Sequence, residues 1–150
     1  MLIRPARREE AAALSALVMR AKAHWGYDAN FMEACREDLR VREERIAAGA
    51  VWVAEEDGLP VGVLEFGFEG GEAEVLACFV EPQAIGRGVG RALWAKAEAL
   101  AVAAGVTIIG VDSDPFAEGF YLAMGAVRVG EAPSGAIPGR MLPRLEKRLG

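Results

Sequence analysis

The chain is short of the residues that build metal and disulfide sites. It has two cysteines, Cys35 and Cys78, in unrelated contexts, and one histidine, His24. Two isolated cysteines make neither a disulfide framework nor a zinc site and suit a reducing cytoplasm, where we expect the protein. A single histidine excludes a histidine-rich metal site, so no metal is expected. No apolar run reaches the length of a membrane span, and the stretch M-L-I-R-P-A-R-R-E-E lacks the apolar core of a signal peptide. Basic excess is also missing: the net charge is −5 and the pI is near 5.0. Nucleic acid is therefore not the expected ligand, and a cationic partner such as an amine fits the sign better. No repeat or low-complexity tract divides the 150 residues, which read as one domain over residues 1–150.

What is present centres on residues 74–105. Val75 to Val80 reads as a buried strand ended by Pro82. Gly86-Arg87-Gly88-Val89-Gly90 follows as a turn. A helix then carries apolar residues at Val89, Leu93, Ala97, Leu100 and Ala104, closed by Gly105. Strand, glycine loop and helix form a phosphate-binding arrangement, because glycines let backbone N–H groups converge at the positive end of a helix. Arg87 and Arg91 flank the loop and suit phosphate oxygens. A Walker loop needs Gly-Lys-Ser/Thr, which is absent. The dinucleotide fingerprint needs a glycine where Arg91 stands.

The rest of the chain reads around this unit. Leu2 to Arg4 is a short strand broken by Pro5. Arg7 to Lys22 has helical spacing, with Arg7 to Glu10 as a solvated first turn. His24-Trp25-Gly26-Tyr27-Asp28 interrupts it, and Asp28 caps a second helix. This aromatic joint is either a plug between helices or a wall of a binding site. Val51–Glu56, Val61–Phe68 and Glu72–Val80 read as three antiparallel strands joined at Asp57-Gly58 and Gly70-Gly71. Thr107 to Val111 should return parallel to the third. Asp114 caps a helix that begins at Pro115. Ala126 to Gly130 is a strand, 131–139 a loop, and Arg140 to Leu149 a last strand that Pro143 assigns to an edge or bulge.

Ile85-Gly86-Arg87-Gly88-Val89-Gly90 resembles the Q/R-x-x-G-x-G/A signature of the GCN5-related N-acetyltransferase (GNAT) superfamily, with Ile85 in place of Gln or Arg. D-x-D-P-x-A-x-x-F-Y-x-x-x-G-A, Asp112 to Ala126, is similar to the family's second signature. The segment H-W-G-Y and the tail P-S-x-x-x-P-G-R-x-L-P resemble those of bacterial GNAT proteins of undefined substrate. The resemblance implies an α/β (α+β) GNAT fold: a mixed, mostly antiparallel sheet with a splayed parallel strand pair, flanked by helices. It implies acetyl-CoA as co-substrate and direct transfer of acetyl to a primary amine of a small molecule or peptide. The alternative is a non-catalytic CoA-binding module. Monomer and homodimer both remain open, and no membrane partner is expected.

The same resemblance assigns roles. The Cys78 N–H polarises the acetyl carbonyl, and the main chains of Phe79 and Val80 pair with pantetheine amides. Ile85, Gly86, Arg87, Gly88, Val89, Gly90 and Arg91 hold the pyrophosphate. Tyr121 protonates the leaving thiolate. Glu74 is the base candidate, eleven residues before Ile85, with Glu72 or a water as the alternatives. Phe116 stands where the family usually has an Asn that contacts the cofactor arm. His24, Trp25, Tyr27 and Arg140 are candidates for the acceptor site, with Arg140 facing a carboxylate.

Overall fold

A computed structural model describes residues 1–150. One seven-stranded sheet runs through it, in the order β1-β2-β3-β4-β5-β7-β6. β1 (Leu2–Pro5), β2 (Val51–Glu56), β3 (Leu59–Glu69) and β4 (Glu72–Val80) pair antiparallel. Both hairpin turns form where expected. Asp57 and Gly58 have φ of 51° and 79°, and Gly70 and Gly71 have 59° and 80°. Positive φ at both central residues matches the turn twist to the strands.

The helices divide between the two faces. α1 (Ala11–Ala23) and α3 (Glu43–Ala47) cover one face, where Leu14, Leu17, Val18 and Ile46 meet Val51, Val53 and Val63. α2 (Ala29–Leu39) packs on α1 and is capped by Asp28, whose carboxylate accepts from the Phe31 N–H at 2.8 Å. α4 (Val89–Ala103) and α5 (Glu118–Ala123) cover the other face, where Leu93, Trp94, Tyr121 and Met124 meet Leu64, Val75, Ile109 and Leu145. Each fully buried leucine contributes roughly 1.5–3 kcal/mol of transfer free energy. The expected solvated turn before α1 is exposed at Arg7, Arg8 and Glu9, and Glu10 turns inward. Glu10 accepts from the Arg7 N–H at 2.8 Å and from Arg4 at 2.8 and 2.9 Å, and Arg4 is buried.

β4 and β5 make the one parallel pair of the sheet, and the pairing is short. It joins Ala73, Glu74 and Val75 to Ile109, Gly110 and Val111 of β5 (Ile108–Asp112) and then stops. On its other side β4 continues against β3 to Val80, with a register shift between Glu65 and Phe66 that leaves Leu76 as an extra residue. The bulge bends β4 away from β5, so residues 76–80 line an opening.

The last two strands differ from the sequence expectation. β6 (Val127–Pro133) runs to Pro133 rather than ending at Gly130, and β7 (Met141–Arg148) lies between β5 and β6. Pro143 is therefore in an interior strand. It is tolerated because β5 ends at Asp112, opposite Arg144, and only the Ser113 N–H reaches the Pro143 carbonyl at 2.8 Å.

Candidate active site

The opening between β4 and β5 is a cavity of about 460 Å³. Its walls are mostly apolar. They come from Leu76 to Val80, the turn after β4, the start of α4, and Phe116 to Met124 on the α5 side. The direction of the β4 main chain follows from one bond: the Glu81 N–H donates to the Val61 carbonyl at 2.8 Å. In an antiparallel ladder, residues alternate between facing the partner and facing away. Phe79, opposite Val63, therefore faces β3, and Cys78 and Val80 turn their N–H and C=O toward the side β5 has left. This corrects the expectation for Phe79. Its main chain pairs within the sheet, and its side chain packs toward the α1 layer at the edge of the cleft. Cys78 and Val80 present the main-chain groups that an extended ligand can pair with.

At the head of the cleft, Gly86 and Gly88 adopt φ of 85° and 81°. Gly88 caps α4, and the first intrahelical bond runs from the Ala92 N–H to its carbonyl at 3.1 Å. The N–H groups of Val89, Gly90 and Arg91 are thus left free at the helix start, as an anion requires. Ile85, Gly86, Gly88, Val89, Gly90 and Arg91 all line the cavity. Arg87 does not line it and pairs with Glu56 at 3.1 Å. Ile85 is exposed. Phe120, one turn of helix beyond Phe116, packs where a Gly90 Cβ would sit, 3.1 Å away.

Tyr121 is buried in the cavity wall beside Cys78, and the two side-chain groups interact. Burial, then the neighbouring Cys78 and Asp114, pushes the phenol well above its ordinary value. Burial likewise pushes the Cys78 thiol up to about 12. Tyr121 therefore stays a proton donor, and Cys78 stays a thiol.

The opposite face of the sheet is open beyond α1. Glu72 and Glu74 of β4, Asp112 of β5 and Arg144 of β7 point there, because Ala73, Val75, Val111 and Leu145 take the core face. With Glu69 and Glu131 they enclose a cavity of about 320 Å³, five carboxylates against one guanidinium. Asp112 lines both cavities. Glu74 is buried and does not stand free. Arg144 bonds both its oxygens, one of them at 2.8 Å, and also reaches Asp112 at 3.2 Å and Glu146 at 3.3 Å. This pairing raises the Arg144 guanidinium above its ordinary value. Gly110 makes room for it: a Cβ there would lie 2.7 Å from the Arg144 Cζ and 3.0 Å from Glu74 Oε1.

A second network joins three segments at the cleft rim. Asp114 accepts from Lys22 Nζ at 2.7 Å, from the Tyr27 hydroxyl at 2.9 Å and from the Phe116 N–H at 2.9 Å. Arg140 donates to the Tyr27 hydroxyl at 2.7 Å and lies over the Tyr27 and Phe31 rings. Burial opposes the Asp114 charge, but Lys22, the Phe116 N–H and Tyr27 hold it below the usual carboxylate range. Burial and Asp114 push the Tyr27 phenol up to about 12. Trp25 and Phe116 stack with ring centroids 5.7 Å apart, and both line the cleft. His24 is exposed, edge-on to Trp25, and does not line it.

The structure thus brings Tyr121, Cys78, Val80, Phe116 and Trp25 to one cleft and Glu74 and Glu72 to the adjoining cavity. Tyr27 and Arg140 stand behind the rim. Lys22, Asp112 and Arg144 were not singled out from sequence. The D-x-D-P spacing, which sets Asp112 and Asp114 two apart at a strand end, is the one local signal for any of these groups.

Residues 15–126 match the acetyltransferase (GNAT) family. The chain belongs to the GNAT family. Members use acetyl-CoA as co-substrate, and the splayed β4–β5 pair is the family fold. No curated protein sequence matches. Among solved structures, a GCN5-related N-acetyltransferase from Rhodopseudomonas palustris is 26% identical, with TM-score 0.79 over 99% of this chain and 95% of that one. The ribosomal-protein-alanine N-acetyltransferase of Brucella melitensis is also 26% identical, with TM-score 0.70 over 99% of this chain and 100% of that one. The PaiA N-acetyltransferase of Thermoplasma acidophilum, solved with coenzyme A, shares the fold at 17% identity, with TM-score 0.81 over 98% of each chain. No helix is long and apolar enough to cross a membrane.

Proposed function

We propose that this GNAT chain moves acetyl from acetyl-CoA to a primary amine of a small molecule or peptide by direct attack. The observation that carries the reading is the meeting of an apolar cleft and an acidic cavity at Asp112, with Tyr121 on one side and Glu74 on the other. The acyl donor lies in the cleft, its phosphates at the N–H groups of Val89 to Arg91. The unpaired main-chain groups of Val80 suit an amide of its arm. A cationic amine is drawn to the acidic cavity, and must lose a proton to attack. Glu74, Glu72 or a water between these carboxylates takes that proton. Glu74 does so with whatever lone-pair capacity Arg144 leaves it.

The Cys78 N–H then points to where the thioester oxygen gathers charge. Tyr121 holds a proton for the leaving sulfur. A Cys78 thiol pushed up to about 12 is a poor nucleophile, which supports direct attack over an acyl-cysteine. Arg140 and His24 line neither cavity, and Arg140 has part of its donor set already on Tyr27, so an acceptor-side role for them needs a ligand that reaches past the rim.

The test is release of free thiol from acetyl-CoA against an amine library. Tyr121→Phe should lower turnover by roughly 10²-fold while CoA still stabilises the fold. A folded variant with wild-type turnover, measured where chemistry limits the rate, removes Tyr121 from the mechanism. CoA stabilisation without thiol release for any amine would favour a CoA-binding module instead.

A further inference from the structure

The carboxylates around the two cavities differ in how free they are. Glu74 is buried and has both oxygens on Arg144. Asp114 already accepts from Lys22, Tyr27 and the Phe116 N–H. Glu69, Glu72 and Glu131 line the acidic cavity and not the cleft. Asp112 alone lines both, and its side chain is 43% exposed. Its Oδ1 accepts from Arg144 at 3.2 Å, and its Oδ2 has no protein partner.

The sheet puts Asp112 in this place. The parallel ladder pairs Val75 with Val111 and goes no further. Asp112 is the next residue of β5, and its ladder neighbour would be Leu76, the extra residue at which β4 turns away. Asp112 thus stands at the fork, on the face of Glu74 and open to the cleft. Glu72 begins β4, four residues before Leu76, roughly 13 Å from the fork at about 3.3 Å per residue. Arg144 comes from β7, opposite Asp112, and ties Asp112, Glu74 and Glu146 into one row. A carboxylate held by one oxygen and free at the other is oriented and still able to take a proton.

We infer that Asp112 is the catalytic carboxylate that takes the proton of the acceptor ammonium, directly or through one water, and that Arg144 and Glu74 are the positioning pair that holds it. This rests on the acetyl-transfer reading. The ammonium gives one proton to Oδ2, and the nitrogen lone pair forms the C–N bond as the C–S bond breaks. The sulfur takes the Tyr121 proton, and the second proton that nitrogen sheds on collapse balances it. Asp112 returns its own proton to solvent through its exposed side.

The experiment follows thiol release from acetyl-CoA with n-butylamine and with the library amine that turns over fastest. It compares the wild type, Asp112→Asn, Asp112→Glu and Glu74→Gln at about pH 7 and about pH 9, below the ordinary amine value of about 10.4. Asparagine keeps an acceptor for Arg144, so the thermal midpoint and its rise with CoA should hold. Asp112→Asn should lower kcat by about 10²-fold at the lower pH. The defect should narrow to about tenfold or less at the higher pH, where solvent supplies more neutral amine. Asp112→Glu keeps a carboxylate and should recover at least about tenfold of the loss. A folded Asp112→Asn with wild-type kcat overturns the inference, and so does a raised amine KM alone, since the carboxylate then only attracts the ammonium. A defect of equal size at both pH values also overturns it. If Glu74→Gln carries the pH-dependent defect and Asp112→Asn does not, Glu74 is the base. Each of these failures leaves wild-type thiol release, and with it acetyl transfer, standing. Absence of thiol release from the wild type with every amine overturns acetyl transfer and the inference together.

Discussion

Gly110→Ala tests how the acidic face is built. A Cβ at this position would lie 2.7 Å from the Arg144 Cζ and 3.0 Å from Glu74 Oε1, too close for either. The backbone of β5 is fixed between β4 and β7, so the flexible Arg144 side chain must move. That removes the bidentate partner of Glu74, a residue only 8% exposed. Deleting one partner of a buried ion pair costs about 3–5 kcal/mol. Here Arg144 is displaced rather than deleted, and its side chain is 19% exposed and adjoins Asp112. Part of the loss is recovered by solvent and Asp112, leaving about 2–3 kcal/mol. For a domain of this length that lowers the thermal midpoint by about 4–12 °C. Glu74→Gln supplies the control. If the alanine acts through the Arg144–Glu74 pair, the double variant should lose less than the sum of the singles, by about 1–2 kcal/mol. The assay is thermal unfolding of the four proteins followed by circular dichroism. A midpoint change under about 2 °C, or strict additivity, would refute the claim that Gly110 exists to seat Arg144 on Glu74.

Two further outcomes follow from the site geometry. Gly88→Ala meets no side chain within 4 Å, so only its φ of 81° is strained, at a cost of about 1–2 kcal/mol. The apo fold should survive and the CoA-induced rise in thermal midpoint should vanish; an undiminished rise would sink the phosphate-loop assignment. The protein has only two tyrosines, Tyr27 and Tyr121, and burial raises both phenols, Tyr27 to about 12. Groups with raised folded pKa values stabilise the fold fully below the ordinary value of about 10, and that stability is lost as pH rises through the folded values. Near-ultraviolet titration should therefore show no phenolate at about pH 10, with ionisation and alkaline unfolding arriving together above it; one tyrosine titrating normally in a native protein would contradict the packing described.

Local chemistry made part of this legible. The two hairpins, the Asp28 cap and the glycine loop each depend on a few consecutive residues, and each forms where the sequence puts it. The pairing of Glu74 with Arg144 spans 70 residues and needs a glycine on a third strand, so no window of sequence contains it. The place of β7 between β5 and β6 is also a long-range choice, so Pro143 fails as an edge signal, although the β6–β7 ladder has a bulge at Val129, beside the Glu131–Pro143 pair. Phe79 shows a subtler limit. Alternation along β4 is readable, but its phase depends on one extra residue, Leu76, and a bulge leaves no mark in a run of apolar residues.

That extra residue also organises the chemistry. Before Leu76, the odd-numbered Ala73 and Val75 face α4, and Glu72 and Glu74 face the acidic cavity. After it the phase shifts, and the even-numbered Cys78 and Val80 pack toward the α4 layer while Phe79 packs toward α1. The main chain is governed by a separate alternation, set by β3, which turns the polar groups of Cys78 and Val80 into the opening left by β5. A regular strand would keep one phase throughout, and β5 could follow it to the end. The cleft would then close, and Cys78 would bond a neighbouring strand. With the bulge, nine residues supply a buried core edge, carboxylates on one face, and on the other the Cys78 side chain beside Tyr121, with main-chain groups turned into the opening. Under the proposed direct transfer, attack from the acidic face and departure past Tyr121 would take place on opposite sides of a single strand, with both substrates held close to it.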